Sequence, residues 1–128
     1  MNIMFLKVFI FCCNLLIPLM LIIFGWVMQK HPPKNINSIY GYRTSMSMKN
    51  QDTWDFAHKA CGKLWWKIGW IMLIFSAVVQ LLFFNSDRNM IGILSAILCT
   101  VQCIILIGTI FPVEKALKKN FNPDGSRK

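Results

Sequence analysis

The stretch "VFIFCCNLLIPLMLIIFGWVM", Val8 to Met28, decides the fold. Its 21 residues carry no Asp, Glu, Lys or Arg. At about 1.5 Å of rise per residue, such a run crosses a hydrocarbon core of roughly 30 Å. Pro18 predicts a kink, which a membrane helix tolerates when a neighbour satisfies the carbonyl the proline leaves free. A cleaved signal peptide would be shorter and would end at small residues. Here only Lys7 precedes the run and "FGWVMQK" follows it, so a retained helix is expected.

Two further runs have the same character. Leu64 to Phe84 is apolar except for Lys67, close enough to the end to snorkel, and for Gln80 and Ser76. Met90 to Phe111 follows, and Pro112 predicts its end, although the tail could extend the helix briefly before Asn120 and Pro123 end it. The intervening "NSDRN" is short enough for a tight turn, so the last two spans are expected to pair as an antiparallel hairpin. The fold class is therefore an all-α integral membrane protein, a single membrane domain over residues 1–128. Its spans are near 8–28, 64–84 and 90–111, with a loop at 29–63 and a tail at 112–128.

Composition agrees: 55% of the residues are hydrophobic and 15% charged, with a mean hydropathy of +0.50. The net charge of +9 is confined to the flanks of the apolar runs. That distribution suits a bilayer with anionic headgroups and excludes nucleic acid as the natural partner. Twelve Lys and Arg fall on the side of the loop and tail, and two, Lys7 and Arg88, on the other. The positive-inside rule then places the N-terminus outside and the loop and tail in the cytoplasm. Trp26, Trp65, Trp66 and Trp70 lie near that boundary as an aromatic belt. Four of the five cysteines sit inside apolar runs as small packing residues, without the His or carboxylate that would complete a metal site. No cofactor is expected.

The loop begins as an extended, proline-containing connector, "QKHPPKNINS", and continues with turn chemistry around Gly41. Asn50 is placed to cap a helix, with Asp52 and Asp55 near its start. Trp54, Ala57, Cys61 and Leu64 then recur at helical spacing. These predict a cytoplasmic, interfacial amphipathic helix before the second span, bending into it at Gly62.

"NINSIYGYRTSMSMKNQDTWDFAHKACGKLWW", residues 35–66, resembles the signature of the SdpI-type membrane protein family, "N…GYRT…SM…N…W…A…GK". The matching positions are Asn35 or Asn37, Gly41, Tyr42, Arg43, Thr44, Ser47, Met48, Asn50, Trp54, Ala57, Gly62 and Lys63. Ser45 stands where the family often has proline. The resemblance covers about residues 35–111 and is to the short form of the family. It implies a multi-pass protein of the bacterial cell membrane, acting in immunity against a secreted killing peptide. It also implies signalling by holding a cytoplasmic transcriptional repressor at the membrane.

On the residues themselves, an arginine among aromatics and hydroxyls suits a lipid phosphate or an acidic partner, because guanidinium binds such groups bidentately. The expected binding residues are Tyr40, Gly41, Tyr42, Arg43, Thr44, Ser47, Lys49, Asn50, Trp54, His58 and Lys63. The same Arg43 and His58, with Asp55 one turn before His58, define the alternative: a small lipid-acting membrane enzyme. No activated nucleophile or phosphate loop accompanies them, so catalytic residues are not assigned. A second constellation lies within the spans. Asn14, Gln80 and Ser95 fall about 9, 6 and 7.5 Å inside the outer ends of their helices, in one layer. That layer serves either interhelical hydrogen bonding or an incoming peptide toxin. Three spans without repeated carboxylates or an inverted repeat do not make a channel or transporter, and small residues in the last two spans would permit a homo-oligomer.

Overall fold

A computed structural model describes residues 2–128. It contains the helices α1 (Ile3–Asn14), α2 (Leu16–Lys30), α3 (Gln51–Leu82), α4 (Arg88–Gly108) and α5 (Ile110–Asn120). α1 and α2 abut at Leu15, and α4 and α5 at Thr109, so the chain makes three long apolar helices: Ile3–Lys30, Gln51–Leu82 and Arg88–Asn120. Their outer faces are aliphatic. Ile71, Ile74, Leu81 and Ile104 are each 61–69% exposed, a surface that only a bilayer accommodates. The protein is an all-α membrane protein.

Both interior breaks come from proline. Pro18 has no N–H, so the Asn14 carbonyl four residues earlier loses its helical partner. The Gln102 side chain of α4 supplies one instead, its Nε2 donating to Asn14 O at 3.0 Å. Pro112 was expected to end the third span. The helix instead breaks at Thr109 and resumes through Asn120, because proline is tolerated in a helix's first turn, where its missing N–H would have no partner. Thr109 secures the junction: its hydroxyl donates to Leu106 O at 2.6 Å and accepts from Trp65 Nε1 at 3.0 Å.

α3 also departs from expectation. The amphipathic segment and the second span are not separate elements; one helix of 32 residues runs from the Asn50 cap to Leu82. At about 48 Å it exceeds the hydrocarbon core, so its first turns project beyond it. Gly62 has another use. A Cβ there would stand 2.9 Å from Gly25 O, one at Gly25 would stand 2.7 Å from Trp66 N, and one at Gly69 would stand 2.9 Å from Ile22 N. These three glycines let the backbones of α2 and α3 touch, as small residues do in membrane helix pairs. Gln29 straps the crossing by donating to Gly25 O and Gly62 O, both at 3.3 Å. The pair whose backbones touch is thus α2 with α3, while the last two spans run antiparallel as the expected hairpin and meet through side chains, Trp65 with Thr109 and Ser76 with Gln102. Gly92 shows the contrast, since a Cβ there would meet nothing within 4 Å.

Candidate functional site

The projecting end of α3 organises the loop. Asn50 Oδ1 accepts from Thr53 N–H at 2.9 Å, and Thr53 Oγ1 accepts from Asn50 N–H at 3.1 Å, a reciprocal cap worth about 1 kcal/mol. The other half of the Asn50 amide donates to Gly125 O at 2.7 Å. Gly125 has φ +94°, and a Cβ there would lie 2.6 Å from Asn50 Nδ2. Arg127 closes the same join with two 2.8 Å bonds to Asp52. Loop and C-terminal tail therefore lie on one side of the spans, clamped together at the start of α3.

His58 is the pin of the loop. It is fully buried, lies 4.3 Å from the Trp54 ring, and its Nε2 accepts from Tyr42 N–H at 2.9 Å. Nδ1 lies 2.7 Å from Trp54 O, which assigns the proton to Nδ1 and a neutral ring. Burial lowers its pKa from the ordinary 6.5, against smaller opposing effects of the Trp54 carbonyl and Asp55. Gly41 enters this contact with φ +105°, and a Cβ there would stand 2.5 Å from His58 Nε2. Trp54 Nε1 donates to Pro33 O at 2.8 Å, fastening the connector to the same turn of α3.

The remaining motif residues fasten the loop to itself and to α5. Ser47 Oγ accepts from Thr44 N–H at 2.8 Å, and Thr44 Oγ1 accepts from Ser47 N–H at 3.2 Å. The buried Tyr42 ring reaches α5, where its hydroxyl donates to Glu114 at 2.8 Å. Burial, and then that carboxylate, push the phenol pKa well above its usual value, keeping it a donor. Asn37 Oδ1 accepts from both Ile39 N–H and Tyr40 N–H at 2.9 Å, turning the chain into "GYRT".

The expected binding residues therefore divide. Gly41, Tyr42, Thr44, Ser47, Asn50, Trp54 and His58 are occupied in holding the loop. Tyr40, Arg43, Lys49 and Lys63 are exposed. His58 is fully buried, with both ring nitrogens engaged, and faces neither solvent nor lipid. Arg43 spends one guanidinium nitrogen on Ser38 O. Among the described residues the one ion pair is Arg127–Asp52, so Arg43 has no carboxylate partner there.

Two concavities border the loop, and Arg43 lines the first of them. A cleft of about 530 Å³ lies between α2 and the α4–α5 junction, walled by Phe24, Val27, Leu106 and Ile107, with Tyr40 and Arg43 also lining it. A second of about 650 Å³, between the loop and the tail, carries Lys49, Lys118 and Lys128 with Glu114.

At the other end of the bundle, Asn14, Gln80 and Ser95 meet. Asn14 Nδ2 donates to Gln80 Oε1 at 2.8 Å and lies 2.9 Å from Ser95 Oγ. Two residues not singled out from sequence extend the network: Gln102 Nε2 also donates to Ser76 Oγ at 2.9 Å. Their spacing was a usable signal, since Ser76 is one turn from Gln80 and Gln102 two turns from Ser95. Gln80 Nε2 is buried without a partner among the described residues, beside a cavity of about 20 Å³ that Lys7 and Phe84 also line.

Comparison with known proteins gives this geometry a lineage. The SdpI/YfhL protein family matches residues 34–113, from the connector through the loop, α3 and α4 into α5. The chain belongs to that family. It is similar to the uncharacterized protein YfhL of Bacillus subtilis (strain 168), 36% identical over 99 residues, covering 77% of this chain and 80% of the relative. No solved structure matches it. Within the family match, the signature residues turn out to be mostly the fasteners of one folded loop.

Proposed function

We propose that the chain is a membrane-resident immunity and signalling protein of the SdpI type, acting by binding and not by catalysis. One observation carries this reading. The signature's buried members immobilise the loop, while Arg43 is held at its surface, at the mouth of an apolar cleft and without a carboxylate partner among the described residues. A cation so presented suits an anionic headgroup or an acidic protein segment. The burial and double hydrogen bonding of His58 argue against the lipid-acting enzyme, which needs that ring at a substrate.

In the proposed topology the N-terminus is outside and loop and tail are cytoplasmic, following the twelve-to-two division of Lys and Arg. A membrane-active peptide toxin then meets the Asn14 end, and a cytoplasmic repressor meets the Arg43 end. The α2–α3 pair connects the two ends. The test is survival of a bacterium sensitive to a membrane-disrupting peptide, expressing this chain or Arg43→Ala at equal membrane abundance. Protection by the native chain and its loss in the variant are expected. Absence of protection by the native chain against a panel of such peptides would reject the immunity role.

A further inference from the structure

We propose that the cleft between α2 and the α4–α5 junction is a site for one anionic phospholipid, with its phosphate on Arg43 and an acyl chain along the cleft. The inference rests on the reading of the "GYRT" loop as a binding element, and adds a ligand and a second half to the site.

The cleft follows from the packing. α2 lies against α3 at the glycine crossing, and α5 is tied to the loop through Tyr42–Glu114 and to α3 through Trp65–Thr109. Between α2 and the α4–α5 junction the space is left to side chains that do not close it: Phe24 is 49% exposed, Ile107 61% and Ile110 41%. Along α2 the lining runs from Met20 to Met28, about 12 Å of helix. Its volume of about 530 Å³ lies within the usual range of small-molecule sites.

Two chemistries meet there in the order a phospholipid presents them. The wall is made of Met20, Phe24, Val27, Leu106 and Ile107, all on membrane-spanning segments, where acyl chains are the solvent. At the loop end stand Arg43 and Tyr40, on the side holding twelve of the fourteen basic residues. Any lipid would wet the wall. The guanidinium at its mouth pairs with the phosphate of either lipid, and it separates an anionic headgroup from a zwitterionic one because the choline cation offsets the phosphate charge and is itself repelled. Free phosphate would gain the headgroup contact and none of the wall.

The test is native mass spectrometry of the purified full chain in detergent. Phosphatidylglycerol and phosphatidylcholine of identical chains are titrated, with inorganic phosphate as competitor. One phosphatidylglycerol per chain is expected, retained about tenfold more tightly than phosphatidylcholine, which keeps the phosphate contact but carries no net negative charge. Arg43→Ala should reduce it to the phosphatidylcholine level. Ile107→Trp, which fills the cleft from an exposed position, should release both lipids. Equal retention of the two lipids by the native chain, or unchanged preference in Arg43→Ala, overturns the site even if Ile107→Trp fails to fold. Displacement of the lipid by inorganic phosphate overturns the acyl part. Failure of the functional reading is seen separately: a variant that loses lipid but still protects the host keeps the site and removes the role assigned to the loop.

Discussion

The two ends of this bundle are built on different principles. At the loop end, backbones touch at Gly25 and Gly62, and Trp54, His58, Tyr42 and Ser47 interlock in a dense, mostly buried knot. At the opposite end, α1 meets α3 and α4 through a few side-chain amides and hydroxyls, and one of those amide nitrogens is left without a partner. The first arrangement is specific because steric fit and hydrogen bonds must be met together. The second is adjustable, since a Gln or Asn in a membrane exchanges partners at small cost. A protein that presents a fixed cation on one side and yields on the other has its rigidity at the loop.

Breaking the rigid end should have the larger consequences. Gly25→Leu would force α2 off the Trp66 backbone, and a loss of about 3 kcal/mol is expected from such overpacking, read by denaturant titration in mixed micelles. His58→Ala comes next. It leaves Tyr42 N–H buried without its partner, at about 1–3 kcal/mol, while Trp54 O keeps its helical partner, the N–H of residue 58, and it should also release the loop to proteolysis. Acid should imitate that variant. Because the folded state holds His58 with a lowered pKa, the unfolded chain binds the extra proton first. Its stabilisation is complete above pH ~6.5 and is lost as the pH falls from there through the folded value. Proteolytic nicking of the loop should follow that course in the native chain and be flat in the His58→Ala variant.

The adjustable end sharpens the comparison from below. Gln102→Leu strands the Asn14 carbonyl freed by Pro18, and about 1–2 kcal/mol is expected in the same titration. Gln80→Leu should cost less than about 1 kcal/mol, since it removes one hydrogen bond together with an unpartnered buried donor. If the two glutamine variants prove equal, the polar layer is not the loose network described.

Much of this was legible in residue order, and particular residues show where legibility stopped. The three apolar runs, the Asn50 cap and the break near Pro18 are local consequences of composition and of a missing N–H. So was the meeting of Asn14, Gln80 and Ser95, because depth in a membrane is counted along each helix alone. Pro112 left open whether the helix stops there or continues to Asn120, because a proline reads alike at the end of one helix and in the first turn of the next. The close approach at Gly62 was not foreseen because glycine serves a bend and a close approach equally well. His58 looked like a binding group until Gly41 and Tyr42 were seen folded onto it.

The sequence by itself determined that this chain has three helices long and apolar enough to cross a membrane and that its charge gathers in the segments flanking them, since both depend only on summed transfer energies along the chain. Tertiary structure alone decided which helices pair, which signature residues are fasteners, and that Arg43 stands beside a cleft. Those outcomes depend on distances between residues far apart in the chain, which no periodicity encodes.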